Sequence, residues 1–235
     1  MKKILILIAV IISLGAIFAS PIFHVASFNI ENINELTREQ VLAAMGEYHP
    51  NIFAFSSRQA QEMIAQSPHV YRVVISKNYI NRQVSINIVE RMTISYVRFS
   101  EGQYLQVDNT GLVLSVVNYR ALQRPVVAGL DFTTFMLGER LDVASYGVFH
   151  TIATMAGLFL AYDIDIDTLY IDISDSSNLR LNYGNVLISL GLPQDLEQKM
   201  RILIPILPEL SLFRTIGGHL DISDINSQWV FRILT

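Results

Sequence analysis

Twenty consecutive residues near the N-terminus, Ile4–Phe23 (ILILIAVIISLGAIFASPIF), carry no charged side chain. At 1.5 Å rise per residue, a helix of about 20 apolar residues crosses a hydrocarbon core of roughly 30 Å. Lys2 and Lys3 precede the run, and no Lys or Arg follows until Arg38. By the positive-inside rule this predicts a cytoplasmic tail over 1–3, a transmembrane helix over 4–23, and export of the remainder. The competing reading is a cleaved signal peptide. Such peptides have apolar cores of about 7–15 residues and end in a small-x-small site. Here the run is longer, and Ile17-Phe18-Ala19 and Phe18-Ala19-Ser20 each place a bulky residue where a small one is needed. The residues therefore favour an uncleaved anchor.

Composition narrows the rest. Charged residues make up 16% of the chain, below the usual figure of about 25%, as one membrane segment plus a β-rich remainder would give. The net charge of −4 leaves no broad basic surface, so no nucleic-acid partner is expected. There is no cysteine, which excludes disulfides, thiolate catalysis and Cys-based zinc sites.

Beyond the anchor, His24–Ile30 reads as a short extended segment. Thr37 and Gln40 form a capping-box pair opening a helix with Val41, Leu42 and Met45 on its apolar face and Gly46 at its end. A second helix starts at Ser56-Ser57, carries Ala60, Met63 and Ile64, and stops near Ser67-Pro68. Strands follow at His69–Lys77 and Gln83–Glu90, the latter with Val84, Ile86 and Ile88 on one face. That order, strand-helix-helix-strand-strand, fits a small α/β domain over 24–91.

From Met92 the pattern becomes β-rich. Strands are expected within Met92–Phe99, Tyr104–Asp108 and Leu112–Val117, with a hairpin turn at Asp108–Gly111. Tyr119–Gly129 reads as a loop, and Phe135–Leu160 as mostly helical. Strands return at Thr168–Ile173, Asn178–Tyr183 and Val186–Leu190. A helix at Leu196–Ile206 and strands at His219–Ile222 and Gln228–Leu234 close the chain.

Signals for catalysis are weak. Asp163, Asp165 and Asp167 alternate like a calcium loop, but Thr168 and Ser174 stand where glycine and a bidentate Glu are required. A solvated strand edge explains the alternation. No two of the five histidines lie three to five residues apart, so there is no helical metal pair. Nucleophile-elbow and phosphate-loop spacings are absent. No cofactor, metal or catalytic residue is expected. In Gln228–Leu234 the only tryptophan, Trp229, shares a strand face with Phe231, with Arg232 on the other. Composition favours core packing of this strand; the alternative is an exposed edge that accepts a strand from a partner.

Taken in order, HVASFNI, LTREQVLAAMG, SSRQAQEMIAQSPHVYRVVISK and QVSINIVER, then YLQVDNTGLVL, LRLNYGNVLISLGLPQDLEQKMRIL and HLDISD, resemble the bacterial cell-division proteins of the FtsQ/DivIB family. The resemblance implies an α+β fold class: an N-terminal transmembrane helix, a POTRA-like domain over 24–91 and a mixed β domain with helices over 92–235. It also implies a non-enzymatic divisome assembly protein at the septum, single-pass in the cytoplasmic membrane. Its partners would be FtsB/DivIC-like and FtsL-like bitopic proteins and other divisome proteins. The implied contact is the C-terminal strand edge: His219, Leu220, Asp221 and Ile222 with Gln228, Trp229, Val230, Phe231, Arg232 and Ile233. Two other readings stand beside it, another POTRA-bearing envelope-assembly or translocation component, and an anchored envelope hydrolase.

Overall fold

The first helix, α1 (Lys2–Ala19), ends where Ser20 turns to an extended conformation and Pro21 begins a 3₁₀ turn over Pro21–Phe23. This corrects the expected span of 4–23. Proline lacks the N–H that the helix would use and its ring clashes with the preceding turn. Two of the 18 residues of α1 are lysines, so 16 residues of the apolar run are helical. Among the described residues no helix is long and apolar enough to cross a membrane. The protein is seen here as a computed structural model, which describes residues 2–120, 123–167, 169–175 and 177–233. Met1, Thr168 and Leu234, used in the sequence reading of the tail and of two strands, lie outside them.

The chain divides into two compact units, Met1–Arg91 and Met92–Thr235. In the first, β1 (Ser27–Glu31), α2 (Arg38–Ala44), α3 (Ser57–Ile64), β2 (Val70–Asn78) and β3 (Gln83–Glu90) follow α1. The sheet order is β1-β3-β2, with β1 parallel and β2 antiparallel to the central β3. Thr37 and Gln40 form the reciprocal capping box that the sequence indicates. Val84, Ile86 and Ile88 are fully buried, against Val41 and Met45 from the α2 region and Ala60 and Ile64 from α3. A period of two in the strand and of three to four in the helices thus generates one core.

The second unit is built on a nine-stranded sheet. Its strands are β4 (Ser95–Ser100), β5 (Gln103–Val107), β6 (Val113–Val117), β7 (Val126–Ala128), β8 (Leu169–Asp172), β9 (Leu179–Tyr183), β10 (Val186–Gly191), β11 (Gly218–Asp221) and β12 (Val230–Arg232). Their order is β12-β11-β10-β9-β8-β7-β4-β5-β6. The helices are α4 (Gly147–Ala161), α5 (Leu196–Leu203) and α6 (Leu207–Leu210). Phe149, Ile152, Met155 and Phe159 of α4 and Met200 and Leu203 of α5 share one core with the sheet.

Two expectations change here. The stretch Tyr119–Gly129 contains β7, which lies at the middle of the sheet, parallel to both β4 and β8. Three residues between Pro125 and Gly129 are too few to show alternation. Within Phe135–Leu160 only Gly147 onward is helical. Gly138 has a positive φ of 78°, and Leu141 donates its N–H to the Gly111 carbonyl, so this stretch lies along the start of β6. Leu141 is buried and spaced seven residues from Val148, which mimics a helical stripe.

Candidate functional site

The C-terminal strands form one edge of the sheet. β11 runs parallel to β10, and β12 runs antiparallel to β11 with Leu220 opposite Phe231, His219 opposite Arg232 and Asp221 opposite Val230. Backbone groups of alternate residues point to opposite sides of a strand. The N–H of Gly218 donates to Asn185 O and that of Ile222 to Ser189 O, so the even-numbered residues of β11 turn toward β10. His219 and Asp221 therefore turn toward β12, where they meet Arg232 and Val230. It follows that the backbone N–H and C=O of Phe231 face the open side.

The side chains divide between two faces. Leu220 and Ile222 are buried, and Phe231 packs on the core with its ring 4.8 Å from that of Phe213. Gly218 leaves room for Phe231: a Cβ at Gly218 would stand 2.3 Å from its Cζ. On the opposite face His219, Asp221, Ser223, Asp224, Val230 and Arg232 line a shallow concavity of about 260 Å³. Ser223 donates both its hydroxyl and its N–H to Asp221 Oδ1, at 2.6 and 2.9 Å. That holds the Asp221 carboxyl below the usual carboxylate range, with His219 and Arg232 adding to the effect against partial burial. Ser227 and Asn226 do the same for Asp224. His219 Nε2 lies 2.9 Å from the buried Ser189 hydroxyl.

Among the residues picked from the sequence, Trp229, Val230 and Ile233 are exposed apolar groups, and Gln228 and Arg232 are exposed polar ones. Gln228 and Trp229 precede β12 and Ile233 follows it, so the strand is three residues long rather than seven. Trp229 and Phe231 do not form one aromatic face: Phe231 takes the core and Trp229 stays 39% exposed. Sequence reading missed the turn that lines the concavity. Its signal was present in Asp221-Ile-Ser223 and Asp224-Ile-Asn-Ser227, since Asp two or three residues before Ser is a side-chain-capped turn.

The opposite sheet edge, β6, is occupied at its start, where Val113 exchanges hydrogen bonds with Gly138 and Glu139. Among the described residues no group of three or more His, Asp or Glu could hold a metal ion. The acidic stretch Asp163–Asp167 is the connection after α4, with Ile164 and Ile166 packed on the core.

A parallel β1-β3 pair beside an antiparallel β2, covered by two capped helices, is the α/β arrangement of a POTRA domain. Residues 23–91 match the family described as POTRA domain, FtsQ-type. The chain is also 23% identical to cell division protein DivIB of Clostridium tetani over 230 residues, covering 97% of this chain and 85% of that protein. It is 22% identical to DivIB of Clostridium botulinum over 232 residues, covering 94% and 88%. With cell division protein FtsQ of Syntrophotalea carbinolica it shares 25% over 214 residues, covering 89% and 73%. Residues 23–91 are thus similar to FtsQ-type POTRA domains, and along most of its length the chain is similar to the DivIB and FtsQ cell-division proteins.

Proposed function

We propose that this protein is a non-enzymatic assembly factor of the division machinery, anchored in the cytoplasmic membrane by its N-terminal segment. It acts by offering the β12 edge to an extended segment of a bitopic, FtsB/DivIC-like partner and by gathering an FtsL-like protein with it. The observation that carries the reading is the open side of β12. There the Phe231 N–H and C=O face outward, with Trp229 and Ile233 exposed beside them, and main-chain pairing of that kind is how β-augmentation gains affinity. Anchoring is supported by the uncharged run Ile4–Phe23 after Lys2 and Lys3. The 16 helical residues of the run span about 24 Å, and flanking lysines that reach outward and local bilayer thinning accommodate a short span.

The test is localisation with co-purification. A fluorescent fusion should gather at the septum, and the membrane-extracted protein should bring down a bitopic partner. Trp229→Lys and Ile233→Lys should weaken that capture while leaving the fold intact. Even distribution around dividing cells, or capture unchanged in both variants, would contradict the reading.

A further inference from the structure

The end of α1 is built into the first unit by specific bonds. Asn51, itself 3% exposed, donates its Nδ2 to the Phe18 carbonyl at 2.6 Å. Ile52 N–H donates to Phe23 O, Val25 N–H to Pro50 O, and Arg82 Nη1 to Ile22 O at 2.8 Å. Phe18, Phe23 and Phe53 form a ring cluster with centroids 5.1–5.9 Å apart, and Tyr79 stacks on Phe53 at 5.3 Å. Tyr79 belongs to the turn joining β2 to β3. Ile80, next to it, is 93% exposed, while Ile22 is 66% exposed and Phe53 44%. Lys77 lies over the Tyr79 ring at 5.4 Å, and Arg82 closes the turn. The three segments 20–25, 50–55 and 77–83 hold no acidic residue.

Apolar tips, aromatic rings and basic side chains without carboxylates are the chemistry that the headgroup boundary of a bilayer accepts. We propose that this patch, Ile22, Phe53, Tyr79 and Ile80 with Lys77 and Arg82, docks on an anionic lipid surface beside the anchor. The proposal rests on the anchoring reading above. Continuity argues for lipid as the occupant. The patch begins at the last turn of α1 and shares its carbonyls, so an α1 seated in lipid brings the patch to the same boundary. The shortness of the helix acts in the same direction: about 24 Å of apolar helix against roughly 30 Å of hydrocarbon draws the residues that follow toward the interface. Arg82, and Lys77 whose ammonium also donates to the Ile52 and Phe55 carbonyls at 3.2 and 3.0 Å, then add positive charge beside anionic headgroups, each attraction screened within a Debye length.

The chain has no cysteine, so single-cysteine variants of the full-length protein can carry an environment-sensitive dye. In vesicles of phosphatidylcholine and phosphatidylglycerol, dye at Ile80→Cys should shift to the blue and be quenched by lipids spin-labelled near the headgroup. Dye at Arg58→Cys, on exposed α3, should be unaffected. Dye at Ile11→Cys should be quenched by lipids labelled deep in the chain, which reports the anchor separately. Because the dye is itself apolar, a second arm places it at Asn81→Cys. Quenching there should be lost on adding Ile80→Asp. A quenched Ile11 probe with an unquenched Ile80 probe would overturn the docking while leaving the anchor. An unquenched Ile11 probe would overturn both. Quenching at Asn81 that survives Ile80→Asp, or protection at Ile80 that requires a co-reconstituted protein, would assign the patch to something other than lipid and also overturn the proposal.

Discussion

Glu90, the last residue of β3, accepts three backbone N–H bonds on its carboxylate, from Asn34 at 3.0 Å, Glu35 at 2.8 Å and Leu36 at 3.1 Å. It thereby ties the sheet to the turn that launches α2. Hydrogen bonds to a charged group contribute about 1.5–3 kcal/mol each, and the three share one anion. Glu90→Ala should lower unfolding stability by about 3 kcal/mol in denaturant titrations of the full chain, because it strands three donors. Asp221 offers a pH test. Its carboxyl titrates below the ordinary value in the folded protein, mainly because Ser223 donates to it. Its contribution is therefore present above the unfolded carboxylate value, near pH 3.9, and is lost as pH falls through the lower folded value. Ser223→Ala should destabilise the protein at neutral pH, and the gap to wild type should close during acid unfolding. A gap that is constant with pH would mean that the serine acts otherwise. The role of Glu90 was not legible in the sequence. Its three partners lie more than 50 residues away, and no local pattern connects them.

Elements were legible where their pattern was long and one-sided. The alternation of β3 and the capping box of α2 read directly onto the structure, because each sets its burial by period alone. β7 escaped because it is central, short and apolar on both faces. The non-helical part of Phe135–Leu160 escaped because Leu141 reaches the core through a pairing with Gly111 that local spacing imitates. At Gly111, φ is +81° and a Cβ would stand 2.2 Å from the Phe149 ring. Gly111→Ala should therefore cost more than the roughly 1 kcal/mol that separates Gly from Ala in ordinary positions, read as a lowered Tm. The edge was half legible. Its existence could be read from HLDISD and QWVFRIL, but the division of Trp229 to solvent and Phe231 to the core depends on the space left by Gly218. Gly218→Ala should push the Phe231 ring aside and loosen β12. The amides of Val230 and Arg232 should then exchange faster while those of β9 and β10 stay protected. Uniform loss of protection would instead show that β12 holds the whole sheet.

At the scale of the molecule, two cores stand on separate stretches of chain, one centred on β3 and the other on the nine-stranded sheet. Ile88→Ala, which truncates a fully buried residue, should cost about 2–5 kcal/mol and shift only the transition of the first core. Calorimetry would resolve the two steps, with the lone Trp229 reporting only the second unit, and one shared shift would show a single cooperative unit. The central claim is that division partners meet this chain by adding a strand to β12. Amide exchange with and without a bitopic partner tests it most directly. Val230 and Arg232 turn toward β11 and should be protected already, so proline at Val230 would test folding rather than binding. The outward amide of Phe231, and that of Ile233 beyond it, should exchange freely alone and become protected on binding. Partner binding that leaves the Phe231 and Ile233 amides exchanging at their free rates would contradict edge augmentation.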